Sequence, residues 1–288
     1  MKWRIPAKTF LLGEYAAIAE ASAIILTTTP CFELSLKPAG GISKIHPQSP
    51  AGLWWQQQNY SASTLSWVDP YKGKGGLGAS SAQFLACYLA SCHVQNKTPD
   101  MDSMLAAYYQ SAWSGEGLRP SGYDVIAQSQ SGCVFINRQK KVIQSSSWPF
   151  KDLSFLLLHT GIKLATHHHL KESTLPERID YLSHLVDLAQ KAFEHEDSQL
   201  LIQSITDYHQ ALTELNLVAQ HSQDFIRIIK SWPETKAIKG CGAMGADILL
   251  VLTEPKHLLS VKRKARAHNL MVLATEKELA ASDKYIIV

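Results

Sequence analysis

The sequence predicts an α+β fold in two domains, and three observations carry that prediction. The chain has 288 residues, and at roughly 100–200 residues per domain it holds two domains or one large one. Its first half reads as short strands mixed with a few helices. Its second half opens on three helices and then alternates strand and helix, the pattern of a small α+β layer packed on helices. The expected domains are residues 1–150 and 151–288. A chain this long buries about three quarters of its unfolded surface and needs no covalent staple. Hydrophobic residues make 45% and charged residues 18%, which excludes a disordered chain.

The elements follow in order. Ile24–Thr29 and Cys31–Leu36 are β-rich, and Pro30 predicts a break between them. Pro38–Gly41 reads as a turn. Pro47–Gln58 has little periodicity and reads as a loop; its Trp54-Trp55 pair fits a substrate or adenine wall, or else the edge of a core. Ser80–Cys92 is helical, with Phe84, Leu85, Tyr88 and Leu89 at three- and four-residue spacing. Asp102–Trp113 is a second helix. Val134–Ile136 and Leu153–Leu158 are strands, the latter apolar enough to be buried on both faces.

In the second half, Pro176 fits a helix first turn with Ser173 or Thr174 as cap. Helices are expected over 176–195, 197–214 and 217–231, with Pro233 ending the last. Lys236–Lys239 and Ile248–Leu252 read as strands, Lys256–His268 as a helix, and Met271–Leu273 and Tyr285–Val288 as strands. No internal repeat or low-complexity segment interrupts the pattern.

Several partners are excluded at this level. A net charge of +3 demands neither nucleic acid nor a membrane surface. No run of 18 apolar residues is present, and the N-terminal residues lack a signal-peptide hydrophobic region. Five scattered cysteines without a CxxC spacing argue against a disulfide framework or structural zinc. The expectation is a soluble cytoplasmic protein, a monomer or homodimer.

Four segments concentrate the chemistry. Lys74-Gly75-Gly76-Leu77-Gly78-Ala79-Ser80-Ser81-Ala82 leads straight into a helix. Its glycines would let backbone N–H groups approach a phosphate, and the helix N-terminus adds unpaired donors and a positive dipole end. It is neither a Walker loop nor GxGxxG, and taken alone such a turn is most often just a helix cap. Lys239-Gly240-Cys241-Gly242-Ala243-Met244-Gly245-Ala246-Asp247 is a second glycine cluster, either close to a ligand or a tight strand connection. Arg119-Pro120-Ser121-Gly122-Tyr123-Asp124-Val125 places a carboxylate at a helix start, as a general base or as a cap. Pro6-Ala7-Lys8 through Gly13-Glu14-Tyr15 sets a lysine before an apolar run that stops at a glycine.

Together, in order and spacing, these segments resemble the GHMP kinases: galactokinase, homoserine kinase, mevalonate kinase and phosphomevalonate kinase. Pro6 to Tyr15 is similar to the family's PGK(x)nLxGEY/H, Gly76 to Ala82 to its PxxxGLGSSAA, and Gly240 to Asp247 to its KxxGAGGGD, with Lys239 close to that lysine. Ser121-Gly122-Tyr123-Asp124-Val125 and Glu14-Tyr15 look most like the phosphomevalonate branch. There are departures. Lys72 replaces the proline before the second motif, Ala79 replaces its first serine, and Cys241 and Met244 stand where relatives often have smaller residues. Where many relatives carry a Mg²⁺-binding glutamate ahead of the aspartate, this chain has Trp113, and the nearest acid is Glu116.

The resemblance implies the two-domain GHMP kinase fold, with a ferredoxin-like α+β layer in the second half. It implies ATP and Mg²⁺ as cofactors and phosphoryl transfer to a small acid, most of all phosphomevalonate. Mevalonate or another small alcohol, or a non-catalytic ligand-binding protein of the same fold, are the alternatives. Gly75, Gly76, Leu77, Gly78, Ala79, Ser80 and Ser81 would hold phosphates, and Ser80 and Glu116 the metal. Asp124 would take the acceptor's proton beside Lys8. Glu14, Tyr15, Ser121, Gly122, Thr166, Gly242, Ala243 and Gly245 would border the acceptor. Lys72, Lys74, Arg138, Lys163 and His167 to His169 are candidates to face a second phosphate. The three histidines are also readable as a solvated helix start; consecutive helical residues lie about 100° apart, which opposes convergence on one metal ion.

Overall fold

The computed structural model describes residues 1–38, 41–43, 45–58, 60, 63–162, 177–242, 244 and 247–281. Two antiparallel-rich sheets organise them. In the first, β1 (Lys2–Leu12) lies along one edge of the long β2 (Ala23–Pro38). β4 (Ser63–Val68) and β5 (Cys133–Asn137) share the other edge. β3 (Gly41–Ser43) extends the sheet beyond β4 and β6 (Val142–Ser146) beyond β5, giving six strands. Trp3, Ile5, Phe32, Leu34 and Trp67 alternate into its core.

The expected break at Pro30 does not occur: β2 runs through it. The β1–β2 register jumps between Ile5↔Phe32 and Ala7↔Thr28, so Pro6 and Pro30 both fall inside a bulge, where a missing ladder N–H costs nothing. The loop expected over Pro47–Gln58 is also corrected, since it contains the helix α1 (Pro50–Gln57). Ser49 caps that helix by accepting from the Gly52 N–H, and proline starts it. Trp55 is buried against Tyr60, ring centroids 4.8 Å apart, and Trp54 packs beside Phe84 and Tyr88. The tryptophan pair therefore belongs to a core edge.

α2 (Ala79–Val94) packs on β1 and β2 of this sheet and on α1; it buries Phe84, Leu85 and Leu89, with the Phe84 ring against Trp54 and Tyr108. α3 (Met101–Ala112), capped by Asp100, and the short α4 (Tyr123–Gln128) pack beside it. The second sheet has the order β10-β7-β9-β8 and is antiparallel throughout. Its strands are β7 (Ser154–His159), β8 (Thr235–Cys241), β9 (Ile248–Thr253) and β10 (Met271–Thr275). Counted from β7 this is the ferredoxin-like order, with α5 (Ile179–His195), α6 (Ser198–Glu214) and α7 (Gln220–Lys230) in the first crossover and α8 (Leu258–Ala267) in the second. The start of the first expected helix, at Pro176, and the strand expected over Tyr285–Val288 lie outside the described residues.

All five cysteines are free, and all but Cys31 are buried. Among the described residues no helix is long and apolar enough to cross a membrane. The two sheets meet along β1 and β8, and Asp187 of α5 joins the seam by pairing with Lys140 at 3.1 Å.

Candidate active site

Three segments from the first sheet and its helices converge. Lys8 projects from β1, nine-tenths buried, and its Nζ lies 2.9 Å from Asp124 Oδ1. Its backbone N–H donates to the Leu77 carbonyl at 3.0 Å, tying the strand to the glycine loop. Asp124 occupies the first turn of α4, where the helix dipole favours a carboxylate. The turn that aims it is held from α3. Gly122 has φ +75°, and a Cβ there would stand 2.8 Å from Leu105 Cδ2 and 2.9 Å from the Tyr109 hydroxyl. That hydroxyl donates to the Ser121 carbonyl at 3.0 Å and accepts from Arg138 Nη1 at 2.7 Å. Arg138 and Arg119 share Glu20 Oε1, each at 2.6 Å. Beside the site, burial and then the Asp124 charge raise the Tyr108 phenol above its ordinary value.

The glycine loop leads into α2 through Gly78, which supplies no side-chain cap. Ser81 is buried and donates its hydroxyl to the Gly78 carbonyl at 3.0 Å, whereas Ser80 is exposed. A Cβ on Gly75 would lie 2.7 Å from Asp247 Oδ2, and one on Gly76 2.9 Å from Ile248 Cδ1, so this loop rests against the end of the Lys239–Asp247 segment. Gly78 is as tightly enclosed, with a Cβ 2.7 Å from Lys8 Cγ and 3.0 Å from Gln128 Nε2. The buried Gln128 donates to the Pro6 carbonyl at 2.8 Å and to the Gly78 carbonyl at 3.1 Å.

The second sheet enters through Lys239. This residue is fully buried in β8, and its ammonium pairs with the Glu14 carboxylate, itself 3% exposed. Burial works against the ammonium; the Cys241 sulfur, 3.6 Å away, and Glu14 outweigh it and raise its pKa. Burial in turn pushes the Cys241 thiol up to about 11. Tyr15, pushed up to about 12 by burial, accepts at its hydroxyl from the Met244 N–H at 3.0 Å. Gly242 has φ +84°, and among the described residues no atom lies within 4 Å of its Cβ position. Thr166, Ala243, Gly245, Lys163 and His167 to His169 lie outside the described residues.

Of the residues singled out from sequence, Lys8, Asp124 and the Gly75–Ser81 loop therefore come together, and Glu14 and Tyr15 are tied to the Lys239–Asp247 segment. Glu116 does not join them through any contact described. It is exposed, and its carbonyl accepts from Trp113 Nε1 at 3.0 Å. Among the described residues no group of three or more His, Cys, Asp or Glu is arranged to hold a metal. Sequence reasoning passed over Gln128, whose only signal was its place four residues after Asp124, on the same helix side. It also passed over His159, a buried histidine at the end of β7. His159 accepts from the Gly161 N–H at 2.9 Å, and burial lowers its pKa.

No family model matches the sequence, and no curated protein sequence does. Solved structures do match. The mevalonate kinase of Methanococcus jannaschii superposes with a TM-score of 0.72 at 14% identity, covering 96% of this chain and 97% of that one. The Streptococcus pneumoniae phosphomevalonate kinase in complex with phosphomevalonate and AMPPNP gives 0.76 at 14% identity, covering 96% and 99%. The Lactococcus lactis galactokinase complexed with galactose gives 0.76 at 8% identity, covering 100% and 95%. These neighbours are GHMP kinases, and the chain has their fold.

Proposed function

We propose that this chain, built on the GHMP kinase fold, is a member of that family: an ATP-dependent phosphotransferase acting on the hydroxyl of a small acid. The observation that carries the reading is the 2.9 Å Lys8–Asp124 pair, whose lysine is bonded through its own backbone to the glycine loop. A carboxylate base, a cation and a bank of helix N-terminal donors within one cluster are what phosphoryl transfer asks of a protein. The reading takes residues 1–150 and 151–288 as two domains with the site at their junction.

The residues fit a nucleotide. The α2 N-terminus carries no side-chain cap, which leaves its backbone N–H groups to phosphate oxygens, and the loop before it is packed so closely on Asp247, Ile248 and Lys8 that only glycine fits at Gly75, Gly76 and Gly78. The fit to Mg²⁺ is narrower: the exposed Ser80 hydroxyl is one oxygen ligand, and phosphate oxygens and water would complete the shell, as this ion prefers. Bound Mg²⁺ would neutralise phosphate charge. Glu116 has no described contact that makes it a second ligand.

In the reaction, Asp124 accepts the proton of the acceptor hydroxyl as that oxygen bonds to the γ-phosphorus and the bond to the ADP oxygen breaks. Lys8 offsets the charge that develops. The backbone N–H groups entering α2 orient the phosphates. Glu14, paired with Lys239, joins the two sheets rather than meeting the acceptor, and Tyr15 holds the Lys239–Asp247 segment through Met244. Ser121 and Gly122 shape the turn under Asp124.

Phosphomevalonate is the favoured acceptor and mevalonate the second. The Ser121–Val125 and Glu14-Tyr15 sequences support that order, and a phosphomevalonate kinase is among the structural neighbours. Lys72 and Lys74 are the described basic candidates to face a second phosphate, whereas Arg138 is engaged by Glu20 and the Tyr109 hydroxyl. The test is ATP consumption against phosphomevalonate, mevalonate, homoserine and galactose. The highest kcat/KM is expected with phosphomevalonate. An equal or higher value with mevalonate makes the protein a mevalonate kinase. Nucleotide binding without turnover of any acceptor makes it a binding protein on the same fold.

A further inference from the structure

α4 carries Asp124 in its first turn and Gln128 one turn later, on the same side. The Gln128 side chain is wholly buried, and both hydrogen bonds from Nε2 go to main-chain carbonyls of the other two segments. Pro6 stands two residues before Lys8 on β1, and Gly78 is the last residue of the loop before α2. At Gly78 these parts are in van der Waals contact; even a methyl group would press on Lys8 Cγ and on the Gln128 amide itself. The strand with the lysine, the loop with the phosphate donors and the helix with the aspartate therefore share one polar side chain.

We infer that Gln128 is a positioning residue for phosphoryl transfer, its amide fixing Lys8 and the glycine loop relative to the helix that aims Asp124. The inference rests on the kinase reading. The two Nε2 bonds are spent on the Pro6 and Gly78 carbonyls, so the residue acts through Lys8 and the loop rather than on substrate. Reacting groups must be held near 3–3.5 Å, and a misplacement of about 1 Å is costly in rate. A glutamine that merely stabilised the fold would change how much protein is folded, and leave the rate per folded molecule alone.

A kinetic cycle separates the two roles. The proteins are wild type, Gln128→Met, Lys8→Met and the double variant, assayed with saturating Mg·ATP and phosphomevalonate, with melting curves to fix the folded fraction. Gln128→Met is expected to lower kcat roughly tenfold in the otherwise wild-type chain, the scale of coupling between contacting residues, and less than about twofold once Lys8 is already methionine. The acceptor KM should move much less than kcat. Gln128→Asn, one methylene too short to reach both carbonyls, gives the same comparison if the methionine variant does not fold. An equal loss in both backgrounds overturns the inference, as does an unchanged kcat with a lowered melting temperature. A wild-type protein that phosphorylates neither phosphomevalonate nor mevalonate sinks the kinase reading and the inference with it; an active wild type with an additive cycle sinks the inference alone.

Discussion

Replacing Lys239 by methionine keeps most of the side-chain volume in β8 but removes one member of a buried ion pair. The Glu14 carboxylate, 3% exposed, then stays in the interior without its cation, and its Oε2 already lacks a hydrogen-bond partner among the described residues. Removing one partner of a buried pair costs about 3–5 kcal/mol, because the remaining charge is uncompensated. For a chain of this size, at about 2 °C per kcal/mol or a little less, the melting temperature should fall by roughly 5–10 °C. The double variant Glu14→Met, Lys239→Met removes both charges together and should recover most of that loss, since an apolar pair of similar volume is often neutral or better. Differential scanning calorimetry on wild type, both single variants and the double variant supplies the cycle. A single-variant drop below about 2 °C would mean that the charge finds water or another partner. A double variant as unstable as the sum of the singles would mean that the residues do not act as a pair. Either result refutes the reasoning.

Two further outcomes follow from the same structure. Burial, reinforced by the Lys239 and Lys230 charges, pushes His209 down to about 4, so between roughly pH 6.5 and 4 the unfolded chain binds a proton that the folded chain does not. His209 therefore leaves stability intact above pH 6.5 and takes away about 3 kcal/mol as pH falls to 4; urea melts across that range should flatten in His209→Leu, and an unaltered pH profile in the variant counts against the assignment. Ser80→Ala should raise the KM for Mg·ATP by roughly tenfold, the scale of one bond to a charged group, with a smaller change in kcat; unchanged kinetics would remove Ser80 from the site.

Much of the fold was legible because periodicity was strong where burial was deep. Phe84, Leu85 and Leu89 located α2, and the Leu156-Leu157-Leu158 run located β7. β6 escaped because it is an exposed edge strand with the sequence Val-Ile-Gln-Ser-Ser, which carries no apolar alternation. β4 was missed although Leu65 and Trp67 do alternate with polar neighbours, so that signal was present. α1 escaped because its buried residues include Ala51 and Gly52, too small to mark a helical face. At the site, each residue type could be read locally, and the pairing could not. Lys239 and Glu14 are 225 positions apart, and the contact needs both sheets in place. Gln128 escaped for a related reason: its role lies in two main-chain carbonyls, which leave no side-chain pattern in a sequence.

The central claim is that the Lys8–Asp124 pair is chemical machinery and not a helix-start ornament. Asparagine matches aspartate in shape and caps a helix about as well, but it cannot take a proton. The decisive measurement is the single-turnover rate of Asp124→Asn with phosphomevalonate and Mg·ATP, alongside its melting curve and its affinity for AMPPNP. A folded variant that still binds nucleotide and transfers phosphoryl roughly 10²–10⁴ times more slowly is the predicted result. A folded variant with a rate near wild type would contradict the account at its base.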